Sequence, residues 1–403
     1  MKVLYLVTAY PRDPADVITP WLVETIRRLR DRGVTVEVLA PAYRGLASQT
    51  VEGVRVHRFR YAPRGWETLT HDQTAPDRIR EKPWFLGLVP GYVAAGSRAA
   101  ARVAREGGFD VLHAFWPIPQ GVLGLHAKRK TGLPLVSTFF GVELTWMERQ
   151  FPFLAPLLRR IVRGSDAVTA ISTYTARRLQ AQVSGVDPAI IPFGAAVDAP
   201  PEPPPYTYDG ERPFELLFVG RLVERKGVHL LIEALGTLPP TRRVVLNVVG
   251  DGPDRPRLQA QAERLGLGGR AVFHGFVSKE ELQRRLETCD AFVLPAVIDA
   301  KGDTEGLGVV LIEAMSYARP VIASAAGGIV DIVRDGRNGF LVPPGDGPAL
   351  AGAIGRMMDD PAAARTLGLH GREDAESGFG WDVIADRLAE IYRNCSFTRS
   401  QRS

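Results

Sequence analysis

The sequence predicts an α/β protein built from two doubly wound, Rossmann-like domains whose strand ends face each other across a cleft. Three observations carry that expectation. The chain has 403 residues, 45% of them hydrophobic, which at roughly 100 to 200 residues per domain gives two domains with substantial cores. Apolar, β-branched runs alternate with amphipathic helical stretches along almost the whole length, the pattern of a parallel sheet covered by helices on both faces. The run Pro200-Pro201-Glu202-Pro203-Pro204-Pro205 can join neither a helix nor a central strand, and the alternation restarts after it.

The strands of the first half are expected at 2–8, 34–40, 54–60, 110–114, 134–139 and 167–171. Between the first two, Thr19 supplies a capping hydroxyl, Pro20 a first helical position and Asp31-Arg32-Gly33 a stop, which makes a β-α-β unit. Residues 62–91 break the rhythm with Pro63, Pro76, Pro83 and Pro90 and with Trp66, Trp84, Phe85 and Leu86, the composition of a functional loop. The second half is expected to place strands at 214–219, 244–249, 271–273, 291–294, 320–323 and 340–342. The domains are therefore set at 1–199 and 200–378. Residues 379–403 form a last helix that crosses back to the first domain, and this helix and the proline run serve as hinges for closure.

Charge is uneven. Residues 1–200 hold 26 Lys and Arg against 17 Asp and Glu, and residues 201–403 hold 24 against 28, so the first half is the one expected to meet an anionic partner. Nucleic acid is a poor fit, because the basic residues are spread out and no recognised nucleic-acid motif accompanies them. Cys289 and Cys395 are the only cysteines, too few for a disulfide framework or a dedicated zinc site. No stretch approaches the roughly 18 apolar residues of a membrane span, and residues 1–10 read as a buried strand rather than an export signal. A cytoplasmic protein is expected, peripheral on the cytoplasmic membrane face if residues 151–163 lie in a lipid interface. That stretch mixes large apolar residues with Arg159, Arg160 and Arg163, and it reads equally as an ordinary packing helix.

The strongest chemical signal is Asp303-Thr304-Glu305-Gly306-Leu307-Gly308-Val309-Val310-Leu311-Ile312-Glu313-Ala314-Met315, between a strand and a helix. With a helix beginning near Gly306, the amides of Gly306, Leu307, Gly308 and Val309 become the unpaired donors of its first turn, ready to hold an anion. Glycine at 306 and 308 lets a phosphate approach the backbone. Glu313 then follows Glu305 by roughly 12 Å along the axis, so that one end meets a sugar, the middle a diphosphate and the far end a ribose. The second signal is Gly220-Arg221-Leu222 with Lys226-Gly227 after the first strand of the second domain. Arg221 and Lys226 there suit a departing diphosphate, one as a fork and the other as a point charge.

Together these stretches resemble the retaining glycosyltransferases of the GT-B fold, the family marked by Glu, seven residues, Glu (glycosyltransferase family 4, group 1). The resemblance extends to Val249-Gly250-Asp251-Gly252-Pro253, Phe273-His274-Gly275-Phe276-Val277, Ala325-Ala326-Gly327-Gly328-Ile329-Val330-Asp331 and Asn338-Gly339-Phe340-Leu341-Val342. In weaker form it includes Tyr10-Pro11, Arg32-Gly33-Val34-Thr35-Val36, Ser172-Thr173-Tyr174 and Ile191-Pro192-Phe193-Gly194 in the first domain. It implies an acceptor-binding first domain and a second domain that binds a nucleotide diphosphate sugar, UDP-linked or GDP-mannose. By the resemblance, Glu305 contacts the transferred hexose, Arg221, Lys226 and residues 306–309 beside Gly220 hold the diphosphate, Glu313 the ribose, and the backbone at Phe276 and Val277 the base. The acceptor is lipid-linked or a growing polysaccharide of the cell envelope, the anomeric configuration is kept, and the departing phosphate oxygen takes the acceptor's proton. Neither a cofactor nor a catalytic metal is expected, and no Asp-x-Asp pair follows a strand.

Departures concentrate in the first domain. Phe140 stands where many members carry a His that contacts donor sugar or phosphate, and a phenyl ring donates no such hydrogen bond. The loop Tyr10-Pro11-Arg12-Asp13-Pro14-Ala15-Asp16-Val17 replaces the usual glycine pair. Glu143 is a candidate acceptor contact, with a surface carboxylate as the alternative. His113, at a strand end, is read first as a hydrogen-bonded core histidine and second as a residue lining the cleft. Two other functions compete with transfer on this scaffold: a nucleotide-sugar isomerase or hydrolase, which requires an acid or base beside the anomeric carbon, and a non-catalytic nucleotide-sugar-binding protein, which the Phe140 departure favours.

Overall fold

The computed structural model describes residues 1–400 apart from 15, 17, 72–74 and 196, with backbone alone at 76, 77 and 398–400. The chain divides into two units. Unit 1 is Met1–Pro192 with Trp381–Ser403, and unit 2 is Phe193–Gly380. Unit 1 contains β1 (Lys2–Leu6), β2 (Thr35–Pro41), β3 (Gln49–Val51), β4 (Val54–Phe59), β5 (Val111–Phe115), β6 (Leu135–Phe139), β7 (Ala167–Ala170) and β8 (Ala189–Ile190). They form one sheet in the order β3-β4-β2-β1-β5-β6-β7-β8. All neighbours are parallel except β3 with β4. Unit 2 contains β9 (Phe214–Val219), β10 (Val244–Val249), β11 (Ala271–Gly275), β12 (Ala291–Leu294), β13 (Val321–Ser324) and β14 (Gly339–Val342), in the order β11-β10-β9-β12-β13-β14 and parallel throughout.

The central strands are apolar without alternation because helices cover both faces of each sheet. Leu4 and Leu6 of β1, Leu112 of β5 and Leu135 of β6 are fully buried and pack into one core with helix Val89–Glu106. Each such side chain contributes about 1.5 to 3 kcal/mol of burial. The two strands absent from the sequence expectation, β3 and β8, lie at the sheet edges and span three and two residues, too short to show a period.

Several local expectations need correction. Helix Pro20–Arg30 begins after Thr19, but Thr19 sits in the left-handed region (φ 50°) and its hydroxyl makes no capping bond. Pro20 alone sets that start. The 151–163 stretch splits into a 3-10 turn, Pro152–Leu154, and a helix, Ala155–Gly164, whose Leu158, Ile161 and Val162 are buried. Its apolar face is spent on the core of unit 1, so it is the packing helix of the two readings.

The proline run expected to flex is fastened to unit 2. Arg319, 1% exposed, donates from Nη2 to the carbonyls of Pro204 (2.9 Å) and Pro205 (3.2 Å). Arg372 Nη2 donates to those of Pro200 and Pro201, both 2.9 Å, and the Tyr317 hydroxyl to that of Asp198, 2.8 Å. Prolines donate nothing from the backbone but keep free carbonyls, and these side chains take them.

The last helix, Trp381–Ser400, belongs to unit 1. The Tyr392 hydroxyl lies 2.8 Å from the Tyr5 hydroxyl of β1 and 2.6 Å from Nδ1 of His113 of β5. Arg32 holds the start of that helix through Asp386 (2.5 Å) and Asp382 (3.0 Å). No helix among the described residues is long and apolar enough to cross a membrane.

Candidate active site

Unit 2 assembles its charged site where β9 and β12 end. After Val219 the chain passes Gly220 and an exposed Arg221, whose guanidinium pairs with no carboxylate among the described residues. It then tightens into the 3-10 turn Glu224–Lys226. Gly227 ends that turn at φ +70°, and a Cβ there would lie 1.7 Å from the carbonyl oxygen of Pro295, just past β12. Only glycine permits this contact. The approach is locked by the Val297 amide donating to the Arg225 carbonyl, 2.9 Å. Lys226, 8% exposed, is thereby brought to bond Glu305 Oε2. Arg225, which the sequence reading passed over, places Nη1 3.4 Å from the same oxygen and Nε 3.8 Å from Asp303.

Glu305 is 13% exposed. Burial alone raises its pKa, but Lys226, Arg225 and the Gly308 amide outweigh that and hold it below the ordinary carboxylate value. It is an anion at neutral pH. Burial pushes the neighbouring Asp303 upward, against Arg225.

The helix expected from Gly306 runs instead from Val309 to Ser316 with Gly308 as its N-cap. Gly308 has φ +96°, so the backbone conformation itself requires glycine there, beyond any need for phosphate access. Glu305 therefore precedes the helix, and its position relative to Glu313 is set by the 305–308 turn and not by helical pitch. Leu307 is buried at 3% exposure, Val309 opens the helix, and Glu313, on its second turn, is 8% exposed. The Gly327-Gly328 pair is a packing device. A Cβ at Gly327 would meet the Glu305 carbonyl at 1.9 Å, one at Gly328 would meet that of Gly306 at 2.2 Å, and the Gly328 amide donates to the Glu305 carbonyl at 2.9 Å. Gly250 and Gly252 press equally close on the carbonyls of Gly220 and Leu222 (2.1 and 2.2 Å). Past β11, Phe276 stands 86% exposed beside a half-buried Val277.

In unit 1 the residues singled out from sequence lie deeper. His113 is fully buried, its Nε2 2.6 Å from Thr138 Oγ1 and its Nδ1 on Tyr392. Burial pushes its pKa down to about 3, so it is a neutral core histidine and lines no open surface. Phe140, 7% exposed, stacks on Trp116 (centroids 4.3 Å, 16°) and packs against Trp21 (5.4 Å). Trp116 itself sits at φ 51°, a strained conformation for a bulky residue. Glu143 is buried rather than on the surface. Its Oε1 accepts from the Phe140 amide at 2.7 Å, and its Oε2 is buried with no partner among the described residues. Burial pushes its pKa up to about 7, against the amides of Phe140, Glu143 and Gly141. Of the first loop, residues 15 and 17 lie outside the described residues. Asp16 bonds Arg12 Nε (2.6 Å) and His71 (3.0 Å).

Two parallel-sheet units and a glycine-packed, carboxylate-and-cation site at strand ends define a protein of the GT-B class. Residues 209–374 match the family described as "Glycosyl transferases group 1", and residues 18–194 match "Glycosyl transferase 4-like domain". The GDP-mannose-dependent alpha-(1-6)-phosphatidylinositol monomannoside mannosyltransferase of Mycolicibacterium smegmatis is 33% identical over 361 residues, covering 84% of this chain and 91% of the relative. The alpha-D-kanosaminyltransferase of Streptomyces kanamyceticus is 33% identical over 45% of this chain and 46% of its own. Among solved structures, the sucrose-phosphate synthase of Thermosynechococcus elongatus superposes with TM-score 0.74 at 25% identity, over 98% of each chain. HepE of Anabaena in complex with UDP gives 0.70 at 23% identity, over 98% of this chain and 100% of its own. The chain belongs to the group 1 glycosyltransferases of family 4, enzymes that use nucleotide sugars.

Proposed function

We propose that the chain is a retaining hexosyltransferase that moves mannose from GDP-mannose to a lipid-linked acceptor without a catalytic metal. The observation that carries the chemical part is the ionised Glu305 held by Lys226 and Arg225 beside the amide-rich turn that opens helix Val309–Ser316. The donor base and acceptor class rest on the relatives whose names specify GDP-mannose and a phosphatidylinositol mannoside.

In this reading Arg221, Lys226 and the amides from Gly306 to Val309 receive the donor diphosphate, Glu313 the ribose, and the segment at Phe276 and Val277 the base. The C1–oxygen bond to the diphosphate breaks, and the acceptor oxygen bonds to C1 on the face that the diphosphate leaves. The acceptor's proton passes to the departing phosphate oxygen, so no protein base is required. Negative charge grows on the diphosphate as that bond breaks, and fixed cations and amides already aimed at it stabilise the transition state more than the ground state. Glu305, an anion beside the transferred sugar, stabilises positive charge developing at C1.

The test is a panel of UDP, GDP and ADP with their hexose conjugates, read by thermal shift and by sugar release, with and without chelator. Stabilisation by GDP above the others, and GDP-mannose hydrolysis unchanged by chelator, is the expected outcome. Preference for another base replaces the donor assignment, and loss of turnover with chelator removes the metal-free mechanism.

A further inference from the structure

We propose that Trp66, Trp84 and Leu86 of unit 1, with Arg64 and Lys82 beside them, form a surface that docks on an anionic lipid bilayer. Among the described residues of unit 1, six large apolar side chains are exposed, and three of them fall in this one segment: Trp66 at 53%, Trp84 at 50% and Leu86 at 57%. Scattered exposed apolar residues need no explanation, but a cluster containing two indoles does. The two rings touch edge to face, with centroids 5.5 Å apart, and Trp84 stacks on the buried Phe85 at 4.0 Å.

The presentation is built. The Trp66 amide donates to the Pro63 carbonyl and the Thr68 amide to that of Trp66, both at 2.8 Å. The next residue, Glu67, is fully buried, and its carboxylate accepts from Arg60 and from the Gly45 amide (2.8 Å). On the other side, the 3-10 turn Pro83–Leu88 drives Phe85 into the core and leaves its neighbours Trp84 and Leu86 outside. A fold that anchors Glu67 and Phe85 while holding the adjacent Trp66, Trp84 and Leu86 in water is presenting those three side chains.

The chemistry selects the occupant. Indoles with an apolar body and an N–H partition to the boundary between headgroups and acyl chains, and neighbouring cations add attraction to anionic lipid. Arg64 and Lys82 are both exposed, two residues before Trp66 and Trp84. The unit carrying them is basic, with 30 Lys and Arg against 19 Asp and Glu over residues 1–192 and 381–403. The segment leaves the sheet after β4 and returns through helix Val89–Glu106, so it stands on the carboxyl side of the parallel strands, where ligands of such sheets bind. A bilayer met there brings a lipid-borne acceptor to the correct side of the unit. The docking itself does not depend on the donor or the transfer chemistry.

The test sediments the full chain with vesicles of phosphatidylcholine alone or mixed with phosphatidylglycerol, and measures tryptophan quenching by brominated lipid. The expected result is preferential binding to the phosphatidylglycerol vesicles with strong quenching. Partition should fall roughly tenfold or more, and quenching should be largely lost, in Trp66→Ser with Trp84→Ser. Phe153→Ser, at another exposed aromatic of the unit (71%), is expected to bind within about twofold of the parent. An unchanged unfolding midpoint establishes that the double variant is folded; if the midpoint falls, Lys82→Gln with Leu86→Ser reads the same surface. The inference is overturned if the parent binds no vesicles, if the patch variants bind as well as it does, or if they instead abolish a concentration-dependent self-association. GDP-mannose hydrolysis in solution uses no vesicle, so this result and the donor assignment fail independently.

Discussion

The ligand-side loops of the two units solve different problems. In unit 2 the turns after β9, β10, β12 and β13 are pressed together backbone to backbone, with glycines at 227, 250, 252, 327 and 328 where a Cβ would collide, and the result is a charged cluster at Glu305. In unit 1 the corresponding turns after β5 and β6 are filled by side chains. Trp116 stacks on Phe140, Trp21 closes against both, and Glu143 accepts from the Phe140 amide with its other oxygen unpartnered among the described residues. One edge is specified by what the backbone excludes and the other by what side chains happen to fill, so the first is the more constrained in sequence.

The contrast can be broken most forcefully at its chemical centre. Glu305→Ala is expected to lower turnover on the order of a thousandfold, about 4 kcal/mol, while nucleotide affinity by calorimetry changes far less. Equal losses in both would remove the role assigned to that carboxylate. Next, Gly227→Ala is expected to cost several kcal/mol in denaturant unfolding, whereas Gly132→Ala costs about 1 kcal/mol. Both glycines have φ near +70° (+70° and +69°), but only Gly227 has a carbonyl in the way of a Cβ. Similar losses at the two sites would mean that backbone strain, and not the close approach, sets the requirement.

On the unit 1 side, the Glu143 carboxyl keeps its proton up to about pH 7 in the folded chain, whereas in the unfolded chain it loses it near pH 4.3. Between those values the folded state binds more protons, so the stability this group contributes falls as pH rises. Glu143→Gln should remove that fall and leave the variant more stable than the parent above pH 7, by on the order of 2 to 4 kcal/mol. Coincident stability curves from pH 4 to 8 would show the carboxyl to be solvated. The smallest effect is expected at Tyr392→Phe, about 1 to 3 kcal/mol in unfolding, since it strips partners from the Tyr5 hydroxyl and His113 while keeping the ring.

These differences also explain what was legible in the sequence. β9, β10 and β12 were placed to the residue because fully buried parallel strands are short uniform runs of apolar residues bounded by turn signals. The glycines around Glu305 and Lys226 were legible because backbone contact admits one residue type. The start of helix Val309–Ser316 was misplaced, since Gly308 in a left-handed conformation looks in sequence like any glycine inside the turn. Arg225 was missed because its pairing with Asp303 and Glu305 depends on a tertiary approach that Gly227 permits and no local spacing announces. His113 was legible as a hydrogen-bonded core histidine, but its partners Thr138 and Tyr392 and the fastening of the proline run were not, because each is decided by a partner far along the chain.

The Tyr5–Tyr392 contact joins residues separated by 387 positions, which makes unit 1 a discontinuous object with the continuous unit 2 inserted into it. At roughly 5 to 20 residues per second of synthesis, the first strand of unit 1 exists for about 20 to 80 s before the tyrosine that completes its surroundings is made. Unit 2 has no such wait, because every residue it needs has been made by Gly380. A chain ending at Gly380 should yield a protease-resistant second unit joined to a cleavable first one. The order of emergence from the ribosome is thus the reverse of the order of completion: the part synthesised first is the last to become native.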